Sequence, residues 1–485
     1  MLPIKKTNKT TAIGTEDKEM ASTAIRTFII LQEPFQARPG ELPRTLKIPM
    51  DMQALMMHGP TVLCNYRDDE LLAMDIKPVL PDLVLKYGLR NGDLLFVETN
   101  TEGSTPGQGR IVGVNHIPDP TKLYQRPVLT ADDAVFYTRP GFKPQVLEAA
   151  YPDRPWHLMC APFLDDDERR TLRAVDIMAV YGMGASSVLK GPAQTGKSVL
   201  LRSEIKAWIQ KTLEMLNLYV IIVSTGERQA DHTEIKRILQ ALKGKYAEDR
   251  VFEFSAPDRS SDAAQSWLCS QAVAMASALT ASGKHVVLLI DSASRWLLAD
   301  SSAVEISNAD TALISGGVKR GSIGKIRRLL ALAGNYGPDA TLTIRSTMLW
   351  LPEKDPRARA YAEGVLATQI ADSSTNQQVA TYQAPNMPYP SLNMESSATS
   401  TRMEAAIRTP LQLAEAQFIR KFIWSHKSDA VVAADDERGG TSRGSRSSGP
   451  APEDALWNLV QVANDHPFPP ETSGWDGKLW WKDFK

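Results

Sequence analysis

Residues 191–198 read GPAQTGKS, a complete match to G-x-x-x-x-G-K-[ST]. Glycines at both ends let the backbone wrap so that successive N–H groups point at phosphate oxygens. The flanks agree. SSVLK before the loop has the texture of a buried strand, and VLLRSEIKAWIQKTLEML after it that of a helix. Such a loop lies at a helix N-terminus, where anions are stabilised. From average residue usage, roughly one chain in fifty of this length would match by chance, and the strand–loop–helix context lowers that further. The expected nucleotide site is Gly191, Pro192, Ala193, Gln194, Thr195, Gly196, Lys197, Ser198 and Val199, with ATP as its ligand. Lys197 would reach the β- and γ-phosphates, and Ser198 would ligate Mg²⁺.

A second element supports the first. HVVLLIDS (285–292) reads as a buried strand ending in Asp291, the Walker B arrangement that holds Mg²⁺ through its water shell. An apolar strand ending in aspartate is common in α/β proteins, so its weight comes from pairing with the phosphate loop upstream. Between the two, YVIIVSTGERQADHTEI sets Glu227 just beyond a strand's carboxyl end, where the ligands of open α/β sheets collect. A carboxylate there can polarise an attacking water. A solvated loop glutamate is the equally weighted alternative.

The surrounding chain alternates in the same way. SSVLK (186–190), LYVIIVS (218–224), HVVLLID (285–291) and ATLTIRST (340–347) are short apolar runs separated by helical stretches. That alternation predicts an α/β fold, a mostly parallel sheet covered by helices. Residues 26–118 carry short strand signals with turns, including Asn91-Gly92-Asp93, and suit a small β domain of OB type. Residues 1–25 are polar and read as disordered, 119–168 as a Pro-rich connector, and 169–425 as the ATPase domain. Residues 426–454 are a Gly/Ser/Arg/Asp linker, and 455–485 an aromatic tail holding Trp457, Trp475, Trp480 and Trp481. The tail either docks on this chain's own surface or anchors aromatics in a protein partner.

Charge and cysteine usage limit the alternatives. The net charge of −1 offers no bulk basic field, so any nucleic-acid contact must be local. Cys64, Cys160 and Cys269 fit neither a metal spacing nor a disulfide framework. No apolar run approaches the roughly 20 residues of a membrane span, and the basic first residues lack a leader's apolar core. The expectation is a cytoplasmic protein with no membrane association.

From residue 185 to about 350 the chain resembles the transcription termination factor Rho family, whose core is a RecA-like P-loop NTPase. GERQADHTEI is similar to that family's Asp-Glu-Arg-Pro-Glu-Glu segment, and Glu227 and Arg228 fall on its catalytic glutamate and adjacent arginine. IDSASRWLLA (290–299) is similar to Asp-Ser-Ile-Thr-Arg-Leu-Ala, and LISGGVKRG (313–321) to the channel loop Leu-Thr-Gly-Gly-Val-Asp. LKYGLRNGDLLFVE resembles the end of the family's RNA-binding OB domain. The resemblance implies catalytic roles for Glu227, Lys197 and Arg228. It also implies a homo-hexameric ring that threads single-stranded RNA past Gly316, Gly317, Val318, Lys319 and Lys354 using ATP hydrolysis. KRGSIGKIRR (319–328) bears five positive charges in ten residues, either an ordinary solvated helix face or an RNA or subunit contact.

The departures matter as much. The family's arginine finger lies beyond this region, yet no Arg or Lys occurs between Arg359 and Arg402. Losing a finger costs on the order of 10³-fold in turnover, so a substitute would have to come from Arg345, Arg357, Arg359 or Arg402. The adenine-stacking aromatic is replaced by Gly364 or Val365, and no Gly-Phe-Gly-Phe RNA-stacking run occurs in the N-terminal part. Two readings therefore stand: an RNA-dependent ATPase and translocase acting in transcription termination, or a catalytically weakened nucleotide-binding assembly or regulatory protein, phage or mobile-element encoded, that acts through its tail.

Overall fold

The computed structural model describes residues 23–32, 61–65, 77–78, 89–100, 110–117, 126–130, 144–258, 260–303, 313–314, 318–349, 376–381, 391–392 and 400–421. The polar N-terminus up to residue 22, the linker and the aromatic tail lie outside these residues.

The first part of the chain gives β1 (Thr23–Gln32), β2 (Thr61–Asn65), β3 (Lys77–Pro78), β4 (Leu94–Asn100) and β5 (Arg110–Val114). They form one sheet in the order β3-β2-β1-β4-β5, every pairing antiparallel. With β1 between β2 and β4, this is the connectivity of an opened five-stranded OB-type barrel.

The larger part follows with α1 (Asp166–Met178), β6 (Ser186–Gly191), α2 (Lys197–Glu214), β7 (Leu218–Thr225), α3 (Gln229–Ala241) and β8 (Val251–Ala256). Next come α4 (Asp262–Ala281), β9 (His285–Asp291), α5 (Ala293–Ala303), β10 (Leu313–Ile314), β11 (Val318–Lys319), α6 (Arg320–Leu330), β12 (Gly334–Gly337) and β13 (Ala340–Leu349). The chain continues with β14 (Asn376–Thr381), β15 (Ser391–Leu392), β16 (Ser400–Thr401), α7 (Glu404–Ile407) and a helix α8 over residues 410–421. The central sheet has the order β14-β6-β13-β9-β7-β8, and each of these neighbouring pairs is parallel. Helices cover both faces, so this is an α/β core, as the alternation predicted.

Period-two side-chain alternation divides the core. Tyr219, Ile221 and Val223 of β7, with Val286, Leu288 and Ile290 of β9, pack on Leu268, Met275 and Leu279 of α4 and Trp296 of α5. Leu218, Val220 and Ile222, with Val287 and Leu289, pack instead on Ile205 and Trp208 of α2 and Val175 of α1. Every residue of β7 and β9 is buried, which is why both read as unbroken apolar runs. α1 starts from a full capping box, with Asp165 accepting from the Glu168 amide and Glu168 accepting from the Asp165 amide. The second half of the Pro-rich stretch belongs to this core. Trp156 is buried edge-on to Trp208 and donates its indole N–H to Thr343 Oγ1 at 3.1 Å.

The loop between the two parts is tied down by a buried polar cluster. Arg126 pairs in a fork with Asp93, Nη1 to Oδ1 at 2.6 Å and Nη2 to Oδ2 at 2.8 Å. Asn115 Nδ2 donates to Asp93 Oδ1 at 2.8 Å and to Ser282 Oγ at 3.0 Å, reaching the residue that ends α4. Gly92, at φ +85°, lies so close to α4 that a Cβ there would meet backbone atoms of Ala274 and Met275 at 2.3 Å. Beside this contact a 310 Å³ cavity is lined by Arg90, Thr130, Ser270, Ser277, Arg328 and Leu329 among others.

Candidate functional site

The parallel sheet ends on one side in a row of loops, and the site is built there. β6 runs into the phosphate loop, whose turn uses left-handed backbone at Gln194 (φ 62°) and Gly196 (φ 81°), the latter capping α2. Thr195 is buried and its hydroxyl donates to the Pro192 carbonyl at 2.9 Å, closing the loop. Lys197 donates its ammonium to the Gly191 carbonyl at 2.9 Å and to that of Pro192. Ser198 is half-buried, while Ala193, Gln194 and Val199 face solvent.

β9 brings Asp291 to the same edge, with β13 lying between β9 and β6. Asp291 is buried and its Oδ1 accepts from Thr347 Oγ1 of β13 at 2.6 Å. Burial pushes its pKa up, while the Thr347 hydrogen bond and the nearby Lys197 and Arg295 charges pull it back. A buried carboxylate with a hydroxyl on the neighbouring helix is a hard oxygen donor set that fits Mg²⁺. Ser198 and Asp291 are the residues that would hold it.

β7 delivers Glu227 beside β9. Gly226, at φ 64°, turns the chain, and its amide donates to the Ala256 carbonyl at 2.9 Å. The Glu227 carbonyl accepts from the Asp258 amide at 3.0 Å and lies 3.2 Å from His232 Nε2. His232 is buried with Nδ1 2.6 Å from Ser255 Oγ, and burial pushes its pKa below the ordinary value. The neutral ring therefore donates from Nε2 to the carbonyl and accepts from the serine at Nδ1. The Glu227 carboxylate meets Arg295 of α5, Nε to Oε1 at 2.9 Å. Burial and the Asp291 charge push its pKa up to about 7, against the pull of Arg295. A carboxyl poised near neutrality is suited to taking a proton from water. Arg228 is exposed at the N-cap of α3.

The structure thus brings Lys197, Ser198, Asp291 and Glu227 to one edge. The sequence reading left out Arg295, Thr347, His232 and Ser255. Arg295 carries a visible signal as the arginine of the SASRWLLA run.

The channel residues are less gathered. Gly316, Gly317 and Lys354 lie outside the described residues. Ile314 and Val318 pair across a two-stranded ladder, and Lys319, paired to Leu313, is half-buried. Val318 is 1% exposed and sits in the core, so its side chain faces α-helical packing instead of solvent. The basic stretch forms α6, with Ile323 and Ile326 inward, Lys325 paired to Asp300, and Arg327 and Arg328 exposed.

Among the substitutes for a finger, Arg345 is corrected. It is 2% exposed and its guanidinium closes on Glu204 of α2, Nε to Oε2 and Nη2 to Oε1, both at 2.9 Å. A guanidinium locked behind the sheet cannot reach a neighbouring subunit. Arg402 is exposed; Arg357, Arg359, Gly364 and Val365 lie outside the described residues.

Residues 171–349 match the family model of the ATP synthase alpha/beta family, nucleotide-binding domain. Curated relatives are named transcription termination factor Rho. That of Mycobacterium bovis is 27% identical over 274 residues, covering 55% of this chain and 40% of the relative. That of Mycobacterium leprae is 28% identical over 203 residues, 42% of this chain and 30% of the relative. The Streptosporangium roseum protein is 29% identical over 184 residues, 38% and 44% of the two chains. The nucleotide-binding core is therefore similar in sequence to that of Rho proteins.

The Rho-like match spans less than half the length of each of these relatives. Solved structures give looser likenesses: a type III secretion system ATPase of pathogenic bacteria (17% identity, TM-score 0.48, 65% of this chain and 81% of that one). A second is ATP synthase subunit NeqB of Nanoarchaeum equitans, at 10% identity and TM-score 0.49, over 66% and 70% of the chains. Both scores are too low to add to the fold assignment. Among the described residues no helix of this chain is long and apolar enough to cross a membrane.

Proposed function

We propose that this chain is an ATP hydrolase of Rho type: an RNA-dependent ATPase and translocase that acts in transcription termination as a homo-hexameric ring in the cytoplasm. The observation that carries the reading is the convergence of Lys197, Asp291 and Glu227 at the carboxyl ends of β6, β9 and β7. The names of its sequence relatives support the role in transcription termination.

Hydrolysis requires water to attack the γ-phosphorus, its proton to be taken up, and the bond to the ADP oxygen to break. Lys197 and the loop amides would bind the phosphates, and Glu227 would orient the water and receive the proton. Mg²⁺, held by Ser198 and Asp291, would neutralise charge on the phosphate oxygens. The Arg228 guanidinium, one residue beyond Glu227 and exposed, would contact phosphate or a neighbouring copy. RNA would meet the loop around Gly316 and Gly317, with Lys319 and Lys354 as cations.

One observation favours a second reading. Arg345 is committed to Glu204, and the chain offers no Arg or Lys from 360 to 401, so a finger from the usual region is missing. This supports a nucleotide-stabilised assembly or regulatory protein that turns over slowly and engages a protein partner through its tail.

Steady-state ATP hydrolysis with and without poly(C), blanked against Lys197→Ala, separates the two. Strong RNA stimulation above the blank supports the translocase. Tight ATP binding without turnover sinks it and leaves the regulatory reading.

A further inference from the structure

We propose that Arg295 is a positioning residue for Glu227: by gripping the Glu227 carboxylate and the Gly226 carbonyl together, it fixes the direction in which that carboxylate faces the bound nucleotide. This rests on the hydrolase reading of the site.

The backbone of Glu227 is already held from below. Its carbonyl is bonded to the Asp258 amide at 3.0 Å and to His232 Nε2 at 3.2 Å. What the loop leaves undetermined is the side chain, and Arg295 supplies that contact, Nε to Oε1 at 2.9 Å. The same guanidinium donates from Nη1 to the Gly226 carbonyl, so one rigid fork spans the turn and the carboxylate. The fork is itself anchored. The Arg295 amide donates to Ser292 Oγ at 3.3 Å in the first turn after Asp291. Gly226 makes room for the arm, since a Cβ there would meet Arg295 Cδ at 3.0 Å and Gln265 Oε1 at 2.9 Å. The arrangement therefore links the metal-binding strand end to the water-orienting one within a single chain.

Electrostatics act in the same sense. Asp291 from β9 and Asp231 from α3 both disfavour a second negative charge at Glu227, and burial adds to this. Arg295 is the cation that opposes them. Arg202 of α2 faces Asp231 instead, at 3.0 Å.

The test uses the full-length chain with Arg295→Gln and Arg295→Lys. Arg295→Gln should lower kcat on the order of 10- to 100-fold, as a misdirected catalytic group does. Affinity for a fluorescent ATP analogue should stay within about twofold, because the phosphate loop is untouched. The acid limb of kcat against pH should move to higher pH, a shift that a purely structural role would not produce. Lysine, keeping the charge without the fork, should recover the limb and only part of kcat. Unchanged kcat and limb in Arg295→Gln overturn the proposal, as does a raised kcat, which would make the contact inhibitory. If the wild type binds nucleotide but hydrolyses no faster than Lys197→Ala, the hydrolase reading fails. Carboxyl ¹³C NMR, with Glu227→Gln assigning the signal, then decides the Arg295 contact without turnover. An upward move of the Glu227 midpoint in Arg295→Gln upholds the grip, and a fixed midpoint removes it.

Discussion

Arg345 on β13 and Glu204 on α2 form a fully buried fork, two hydrogen bonds of 2.9 Å between residues exposed by no more than 2%. Tyr181 donates its hydroxyl to the same carboxylate at 2.5 Å, and the Arg345 guanidinium lies 5.1 Å over the tyrosine ring. The helix that begins with Lys197 is thereby keyed to the strand beside β6. Arg345→Met should destabilise the chain by about 3–5 kcal/mol, because it strands a buried carboxylate. Arg345→Met with Glu204→Met should recover most of that loss in urea unfolding. A single-variant cost below about 1 kcal/mol would mean the pair is solvated or dispensable.

Lys197 and Asp291 make separable contributions to nucleotide handling. Lys197→Ala should abolish measurable hydrolysis while leaving the thermal midpoint without nucleotide nearly unchanged, since the half-buried ammonium donates to carbonyls of its own loop. Asp291→Asn should remove the Mg²⁺ dependence of ATP affinity, read by titrating Mg²⁺ at fixed fluorescent nucleotide. Retained Mg²⁺ dependence in Asp291→Asn would place the metal elsewhere.

Hydrolysis should fail on the acid side near neutrality. Glu227 titrates at about 7 and must be ionised to take a proton, so kcat should fall as pH drops through that value. Stability runs the other way. A carboxyl whose folded pKa is raised gives stability that is present below its unfolded pKa and lost as pH rises through about 7. Glu227→Gln should thus raise the thermal midpoint more at pH 8 than at pH 5, while lowering kcat on the order of 10²- to 10⁴-fold. An acid limb near pH 5 would show that the carboxyl is not perturbed in the working enzyme.

The anchor at Gly92 and Asp93 should be intolerant of change. Gly92→Ala combines a left-handed φ of 85° with a Cβ placed 2.3 Å from α4 backbone, so the loop must lift away. Asp93→Ala leaves Arg126 buried beside Ser282 without its carboxylate. Either change should expose the loop to limited proteolysis at protease levels the parent resists, with ATP affinity retained. Unaltered protection would show that the two parts are held by something other than this loop.

The phosphate loop, the ends of β7 and β9 and the α/β class were legible because each depends on local chemistry. Glycines at fixed spacing and fully apolar strands announce themselves in any register. β14 was not legible: NQQVAT is polar, and it is a strand through its pairings with β6, β15 and β16, which are remote in sequence or follow it. β8 lacked a long apolar run, since Glu253 and Ser255 alternate with Phe252 and Phe254. The Arg345 assignment failed for a related reason. A lone arginine in an apolar strand reads as a free cation until Glu204, 141 residues away in sequence, is seen to close on it. Arg295 and His232 escape a sequence reading because their partners are turn carbonyls, a carboxylate and a serine hydroxyl, and no spacing rule encodes those contacts.

The anchor loop has a mechanical consequence. Ser282, which receives Asn115 and Arg126, ends α4 only a few residues before β9 begins, and Asp291 stands at the other end of that strand. Seven fully buried residues at about 3.3 Å each make β9 a stiff strut of roughly 20 Å. Load applied to the N-terminal sheet enters at the foot of this strut and is delivered at its tip, to the carboxylate that would hold the metal.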